Sequence, residues 1–138
     1  MAEETLLTID TKAPTTGKLK CTLARRAHFS AAVRSPKGEI SGHNYVLEAF
    51  VSGPLNNSSG MIIGIKELSA ILDKTVKVLD HKFINEDVEH FKNLPLSLEA
   101  LTQFCFLKVN SDLSLLSGLK LEKIRLFETE DYWVEISC

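Results

Sequence analysis

Between Lys18 and Phe29 the side chains alternate, with Leu19, Cys21, Leu23, Ala27 and Phe29 on one parity and Lys18, Lys20, Thr22 and Arg26 on the other. A period of two turns every second side chain to the same side, so this stretch can bury one face only as a β-strand. Arg34-Ser-Pro-Lys-Gly38 then supplies turn chemistry, because Pro36 fixes its own backbone and Gly38 admits conformations closed to other residues. A second strand pattern, Asn44-Tyr-Val-Leu-Glu-Ala-Phe-Val-Ser52, is dense in aromatic and β-branched residues and stops at Gly53-Pro54. Together the two runs predict a long hairpin.

The period changes from about Lys66 to Leu79, where Leu68, Ile71, Leu72, Val76 and Leu79 recur at helical spacing with Lys66, Glu67, Asp73, Lys74 and Lys77 opposite. A second helix is expected after Pro95, with Ser97 as N-cap and Leu98, Leu101, Thr102 and Cys105 sharing a face. Gly118 breaks the chain before two strand-like runs, Leu119 to Phe127 and Tyr132 to Ile136, joined by the acidic turn Glu128-Thr-Glu-Asp131. Two strands, two helices and two strands predict an α+β fold: a four-stranded antiparallel sheet carrying both helices on one face. Its other face and its edges need cover, so a closed oligomer is expected.

With 138 residues, 44% of them apolar, the chain can bury one core. One domain is expected over residues 18–138, preceded by an extension at 1–17. A formal charge of -2 gives no field that would draw it to nucleic acid or an anionic membrane, so small ligands and other proteins are the expected partners. Met-Ala-Glu-Glu lacks the basic start of a secretory signal, and no segment approaches the length of a membrane span, which predicts a cytoplasmic protein. Cys21, Cys105 and Cys138 are far apart and form no Cys-x-x-Cys pair, against a disulfide framework or a structural zinc cage.

Four phrases in order, Phe29-Ser-Ala-Ala32, Gly42-His-Asn-Tyr45, Leu79-Asp-His-Lys82 and Phe127-Glu-Thr129, together with Gly60-Met-Ile-Ile63 and Pro95-Leu-Ser-Leu-Glu99, run through the predicted elements. On these phrases the chain resembles the 6-pyruvoyl-tetrahydropterin synthase family, which includes the 6-carboxytetrahydropterin synthases. The resemblance implies the tunnelling fold, in which sheets of several subunits join into a barrel, commonly as a trimer or as two stacked trimers. It also implies active sites between subunits and a pterin ligand such as 7,8-dihydroneopterin triphosphate. In the family, zinc held by three histidines polarises the substrate side chain while a thiolate and an Asp-His pair move protons.

Aligned with the family's Phe-x-Ala-x-His phrase, this sequence places Val33 at the first zinc ligand. Against His-Gly-His-Asn-Tyr it places Ser41 at the second, so His43 alone persists, and one imidazole cannot hold catalytic zinc. His28 has the opposite parity to position 33 and is expected on the other face. No cysteine lies in the loop before Ser41. Glu39 stands near the point where one branch of the family uses a glutamate, though one residue closer to the ligand phrase. The resemblance assigns proton transfer to Asp80 and His81; both could instead simply end the helix, where a histidine near the last carbonyls is favoured. It assigns Glu128 to the amino-pyrimidine edge of the pterin, with Thr129, Ser97 and Glu99 as further contacts; otherwise Glu128 is a charged turn residue.

Two functional readings follow. In the first, the chain keeps a pterin or purine-like pocket anchored by Glu128 and has lost the zinc and thiolate machinery, with no cofactor expected. In the second, it is an active carbon-oxygen lyase of the triphosphate-eliminating, tetrahydropterin synthase type, using Asp80, His81 and Glu39. Zinc enters that reading only through an atypical site at His43.

Overall fold

The computed structural model describes residues 19–56 and 58–138, so the expected extension at 1–17 lies outside the described residues. Strand β1, Lys20–Arg34, pairs antiparallel with β2, Ile40–Pro54, in unbroken register from Lys20↔Pro54 to Arg34↔Ile40. Both strands run longer than the strand patterns alone indicate; in β1, Ala31 and Val33 continue the buried parity of Phe29. The hairpin closes where the Ser35 N–H donates to the Glu39 carbonyl at 2.8 Å and Gly38 adopts a φ of +88°. Only glycine reaches that region without strain.

Helix α1 (Ile65–Leu79) follows, then β3 (Lys82–Phe83), the short α2 (Ile84–Asp87) and a 3-10 turn at Glu89–Phe91. Helix α3 (Leu98–Leu113), β4 (Lys120–Thr129) and β5 (Tyr132–Ser137) complete the chain. The sheet has five strands in the order β3-β1-β2-β4-β5, which corrects the four expected. The added strand lies parallel to β1, pairing Ala31 with Lys82 and Ala32 with Phe83. A two-residue strand carries no periodicity, which is why the sequence pattern does not reveal it. The α+β architecture, with helices gathered on one face, holds.

That face carries the core. Phe29, Tyr45, Leu47, Val51, Ile124 and Leu126 of the sheet are buried with Leu68, Leu72 and Leu79 of α1 and Leu101, Cys105, Val109 and Leu113 of α3. The last two residues show why α3 runs two turns past Cys105: its buried stripe goes on at i+4. Burial pushes the Cys105 thiol up to about 12, so it stays protonated.

Across the opposite face runs a row of charges set by register, Arg26↔Glu48↔Arg125↔Glu135. Arg26 Nε lies 3.1 Å from Glu48 Oε2, and Arg125 Nε lies 2.8 Å from Glu135 Oε1. Glu48 is only 8% exposed, and its Oε1 has Arg125 Nη1 at 3.8 Å. A carboxylate this enclosed persists because cations flank it on both sides.

The C-terminal half of β1 is closed by the segment after α1. Asp80 Oδ1 accepts the Ser30 N–H at 2.9 Å, and the His81 N–H donates to the Ser30 carbonyl at 2.7 Å. Further along, Asn85 accepts the Arg34 N–H through Oδ1 at 2.6 Å, and its Nδ2 donates to the carbonyls of Arg34 at 3.0 Å and Leu94 at 2.7 Å. Asn85 is fully buried, and Leu96 N–H adds a bond to Arg34 O at 3.2 Å. The segment between α1 and α3 is therefore a strand-closing clamp.

Removing that clamp leaves buried backbone groups unpaired, so Asn85→Ala should lower unfolding free energy by about 2–4 kcal/mol, where a surface substitution costs almost nothing. Urea denaturation measures it; a loss below about 0.5 kcal/mol would contradict the clamp.

Candidate functional site

The hairpin register decides what faces the helices. Val33 pairs with Ser41 and Ala31 with His43, so positions 33, 41 and 43 share the face that also carries Tyr45. His28, of opposite parity, is exposed on the other side, as expected. In β4, Glu128 follows the buried Leu126 at the next same-face position.

Of these, Val33, Ser41, Tyr45 and Glu128 open onto a cavity of about 360 Å³. Val33, Glu39, Ser41, Tyr45 and Glu128 line it from the sheet and hairpin tip, Leu96, Ser97, Glu99 and Leu101 from the start of α3, and Tyr132 from β5. Ser97 caps α3 by accepting the Ala100 N–H at 3.1 Å, as its position before Leu98 predicts, and it reaches the lining as well. Thr129 is exposed outside the lining, where its Oγ1 accepts the Asp131 N–H at 3.2 Å and shapes the turn.

His43 joins the two halves of the site. Its Nε2 stands 2.9 Å from Ser41 Oγ and 3.6 Å from Glu128 Oε1, and its ring meets Tyr45 edge-on at 5.7 Å. Tyr45 in turn stacks on Phe29 at 4.9 Å. Burial, and then the Glu128 charge, push the Tyr45 phenol well above its ordinary range, so it stays a neutral donor beside a carboxylate. Sequence reading did not single out Tyr45 and Tyr132. Tyr45 could have been found from its shared parity with His43; Tyr132 has no such signal.

Asp80 and His81 lie apart from this cavity. They bond directly, His81 Nδ1 to Asp80 Oδ2 at 3.0 Å, and His81 takes a φ of 60°, left-handed for a residue with a side chain. His81 and Lys82 border a separate shallow depression with Ser30, Gly42, His43 and Asn44. The structure thus brings Glu39, Ser97, Glu99 and Glu128 together and sets the Asp80-His81 pair on the far side of His43. The hydrogen bond from the Ser30 N–H, and then the neighbouring imidazole, hold the Asp80 carboxyl below its usual range.

Zinc held as the resemblance implies needs donors at 33, 41 and 43. Val33 has none, Ser41 offers a hydroxyl already engaged with His43, and among the described residues no three His, Cys, Asp or Glu side chains converge as a metal cage. This donor set does not fit a catalytic zinc ion.

Comparison with known proteins adds the following. Residues 22–138 match the family profile of 6-pyruvoyl tetrahydropterin synthase. The chain is 32% identical over 125 residues to the 6-pyruvoyl tetrahydrobiopterin synthase of Drosophila melanogaster, covering 78% of this chain and 73% of that protein. It is 34% identical over 130 residues to the enzyme of the same name from Dictyostelium discoideum, covering 81% and 92%. Among solved structures, the Caenorhabditis elegans 6-pyruvoyl tetrahydropterin synthase superposes with a TM-score of 0.77 at 26% identity, covering 87% of this chain and 96% of that one.

A carboxyl whose folded pKa lies below its unfolded value contributes stability that is present above the unfolded pKa and lost as pH falls through the folded one. Asp80→Asn keeps an acceptor for Ser30 but cannot titrate. The fall in melting temperature between about pH 5 and pH 2 should therefore be shallower in Asp80→Asn than in the wild type. Parallel curves would show that Asp80 contributes nothing to acid sensitivity.

Proposed function

The chain belongs to the 6-pyruvoyl tetrahydropterin synthase family, and from that premise we propose that it binds a pterin or purine-like ligand on Glu128 without the zinc- and thiolate-dependent elimination. One observation carries this reading: Glu128 opens into the same cavity that Val33 and Ser41 line. Two carboxylate oxygens suit the adjacent N–H donors of an amino-pyrimidine edge. Tyr45 and Ser97 supply further polar contacts, and Leu96 and Leu101 supply apolar wall for the faces of a bicyclic ring. Among the described residues no cysteine lines the cavity, and burial keeps the Cys105 thiol protonated, which supports a reading without a thiolate.

The second reading, an active carbon-oxygen lyase, draws on the formed Asp80-His81 bond, a carboxylate that orients an imidazole able to carry a proton. It needs that pair to reach a ligand held beyond His43.

A closed homo-oligomer, a trimer or hexamer, belongs to the same proposal. Among the described residues the edge of β1 from Lys20 to Phe29 and the outer edge of β5 have no strand partner, and edges of this length favour association. A cytoplasmic location accords with three free cysteines, and among the described residues no helix is long and apolar enough to cross a membrane.

Titration of 7,8-dihydroneopterin, followed by pterin fluorescence, should give an affinity for Glu128→Ala weaker than wild type by about tenfold or more, the loss expected for hydrogen bonds to a charged acceptor. Equal affinities would remove Glu128 as anchor. Metal analysis of the purified protein should find no stoichiometric zinc; stoichiometric zinc that disappears in His43→Ala would overturn the zinc-free reading.

A further inference from the structure

We infer that Tyr132 is a specificity-determining residue of the cavity, the ring on which a flat heteroaromatic ligand stacks while Glu128 holds that ligand by its edge; this rests on the reading of Glu128 as the anchor. The β4-β5 turn puts the two side chains together. Phe127 pairs with Trp133 and Thr129 with Tyr132, so β4 carries one residue more than β5 at this point and Glu128 is the bulged one. A bulge re-aims the side chain of its extra residue. Both Glu128 and Tyr132 border the cavity. Alternation along β5 agrees: Val134 pairs with the buried Leu126 on the face that carries the helices, and Tyr132, two residues before it, shares that face.

What marks Tyr132 is an unused aromatic face. Among the described residues the other phenylalanine, tyrosine and tryptophan rings each meet another ring or a cation, or, like Phe106, lie in the core. Its neighbour Trp133, for example, packs on Phe127 and takes the Arg125 guanidinium at 4.9 Å. Tyr132 is 51% exposed and has neither kind of partner among those residues. A ring presented in this way beside a hydrogen-bonding carboxylate suits a flat heterocycle, since stacking reads the π-face while the carboxylate reads the edge. Val33, Leu96 and Leu101 give the cavity aliphatic surface as well. A neighbouring copy that extends the sheet along the outer edge of β5 would engage backbone groups in the plane of the sheet. The Tyr132 side chain stands out of that plane, so it serves equally a cavity completed by a second subunit.

The test titrates neopterin, a flat bicycle, and isocytosine, a single ring with the same amino-pyrimidine edge, by calorimetry against the purified wild-type protein, Tyr132→Ala, Tyr132→Phe, Tyr132→Trp and Glu128→Ala. Tyr132→Ala should weaken neopterin binding by about tenfold or more, the loss typical of one aromatic platform. Isocytosine should lose clearly less, because less of its face is stacked. Tyr132→Phe and Tyr132→Trp keep a ring and should stay within about threefold of wild type. Neopterin binding unchanged in Tyr132→Ala overturns the inference. So does a loss in Tyr132→Phe as large as in Tyr132→Ala, which would assign the effect to the hydroxyl. Size-exclusion chromatography covers a third case: if Tyr132→Ala loses binding of both compounds alike as its assembly dissociates, the ring is an interface residue and the inference falls. If Glu128→Ala binds neopterin as wild type does while Tyr132→Ala does not, the anchor reading fails and the platform stands. If wild type binds neither compound, both fail.

Discussion

The fold depends on how one strand edge is satisfied. β1 is the first arm of the long hairpin, and among the described residues only its C-terminal half has a neighbour on the side away from β2. There the chain uses three different devices in a row: the carboxylate and backbone of Asp80-His81 for Ser30, two residues of parallel strand for Ala31 and Ala32, and the buried amide of Asn85 for Arg34. Buried backbone donors and acceptors must be paired, so the position of the β1 end, and with it the cavity beyond Val33, is fixed by a segment far away in sequence. Asp80 thus has a structural task, whichever functional reading holds.

The same accounting explains the division of labour across the sheet. One face gives its side chains to the helices and ends in the cavity. The other keeps a buried glutamate between two arginines and extends the alternation to Glu135, with the Arg125 guanidinium 4.9 Å from the rings of Phe50 and Trp133. Charges and rings this closely interleaved tie four strands together at one level, which supports the register on which the cavity geometry rests.

Much of this was legible in the sequence because periodicity is a direct imprint of burial. The alternation around Phe29 and the shift to helical spacing at Leu68 give the α+β order, and parity sets His28 on the face opposite Val33, while the common face of Val33, Ser41 and His43 comes from the hairpin register. Less legible were features without a period: β3 is two residues long, and Asn85 looks like any polar residue between helices until its three bonds are seen. The candidate site divides likewise. Glu39, Ser97, Glu99 and Glu128 line one cavity, whereas Thr129 turns into its loop and the Asp80-His81 pair stands apart. Contacts between positions far apart in the chain, such as His43 with Glu128, arise from strand pairing, which no local pattern encodes.

The hairpin tip has a further implication for how such a chain can diversify. Ser35, Pro36 and Glu39 border the cavity, and the tip is closed by bonds among its own residues: Ser35 N–H to the Glu39 carbonyl, Gly38 N–H to the Ser35 carbonyl, and the Lys37 and Glu39 N–H groups to Ser35 Oγ. Strand register below it is complete by Arg34 and Ile40. Residues can therefore be exchanged or inserted at this tip with little effect on the core, since a surface loop lengthens at small entropic cost. The rim of the pocket is in effect an interchangeable part, so recognition can drift here while the scaffold stays constant.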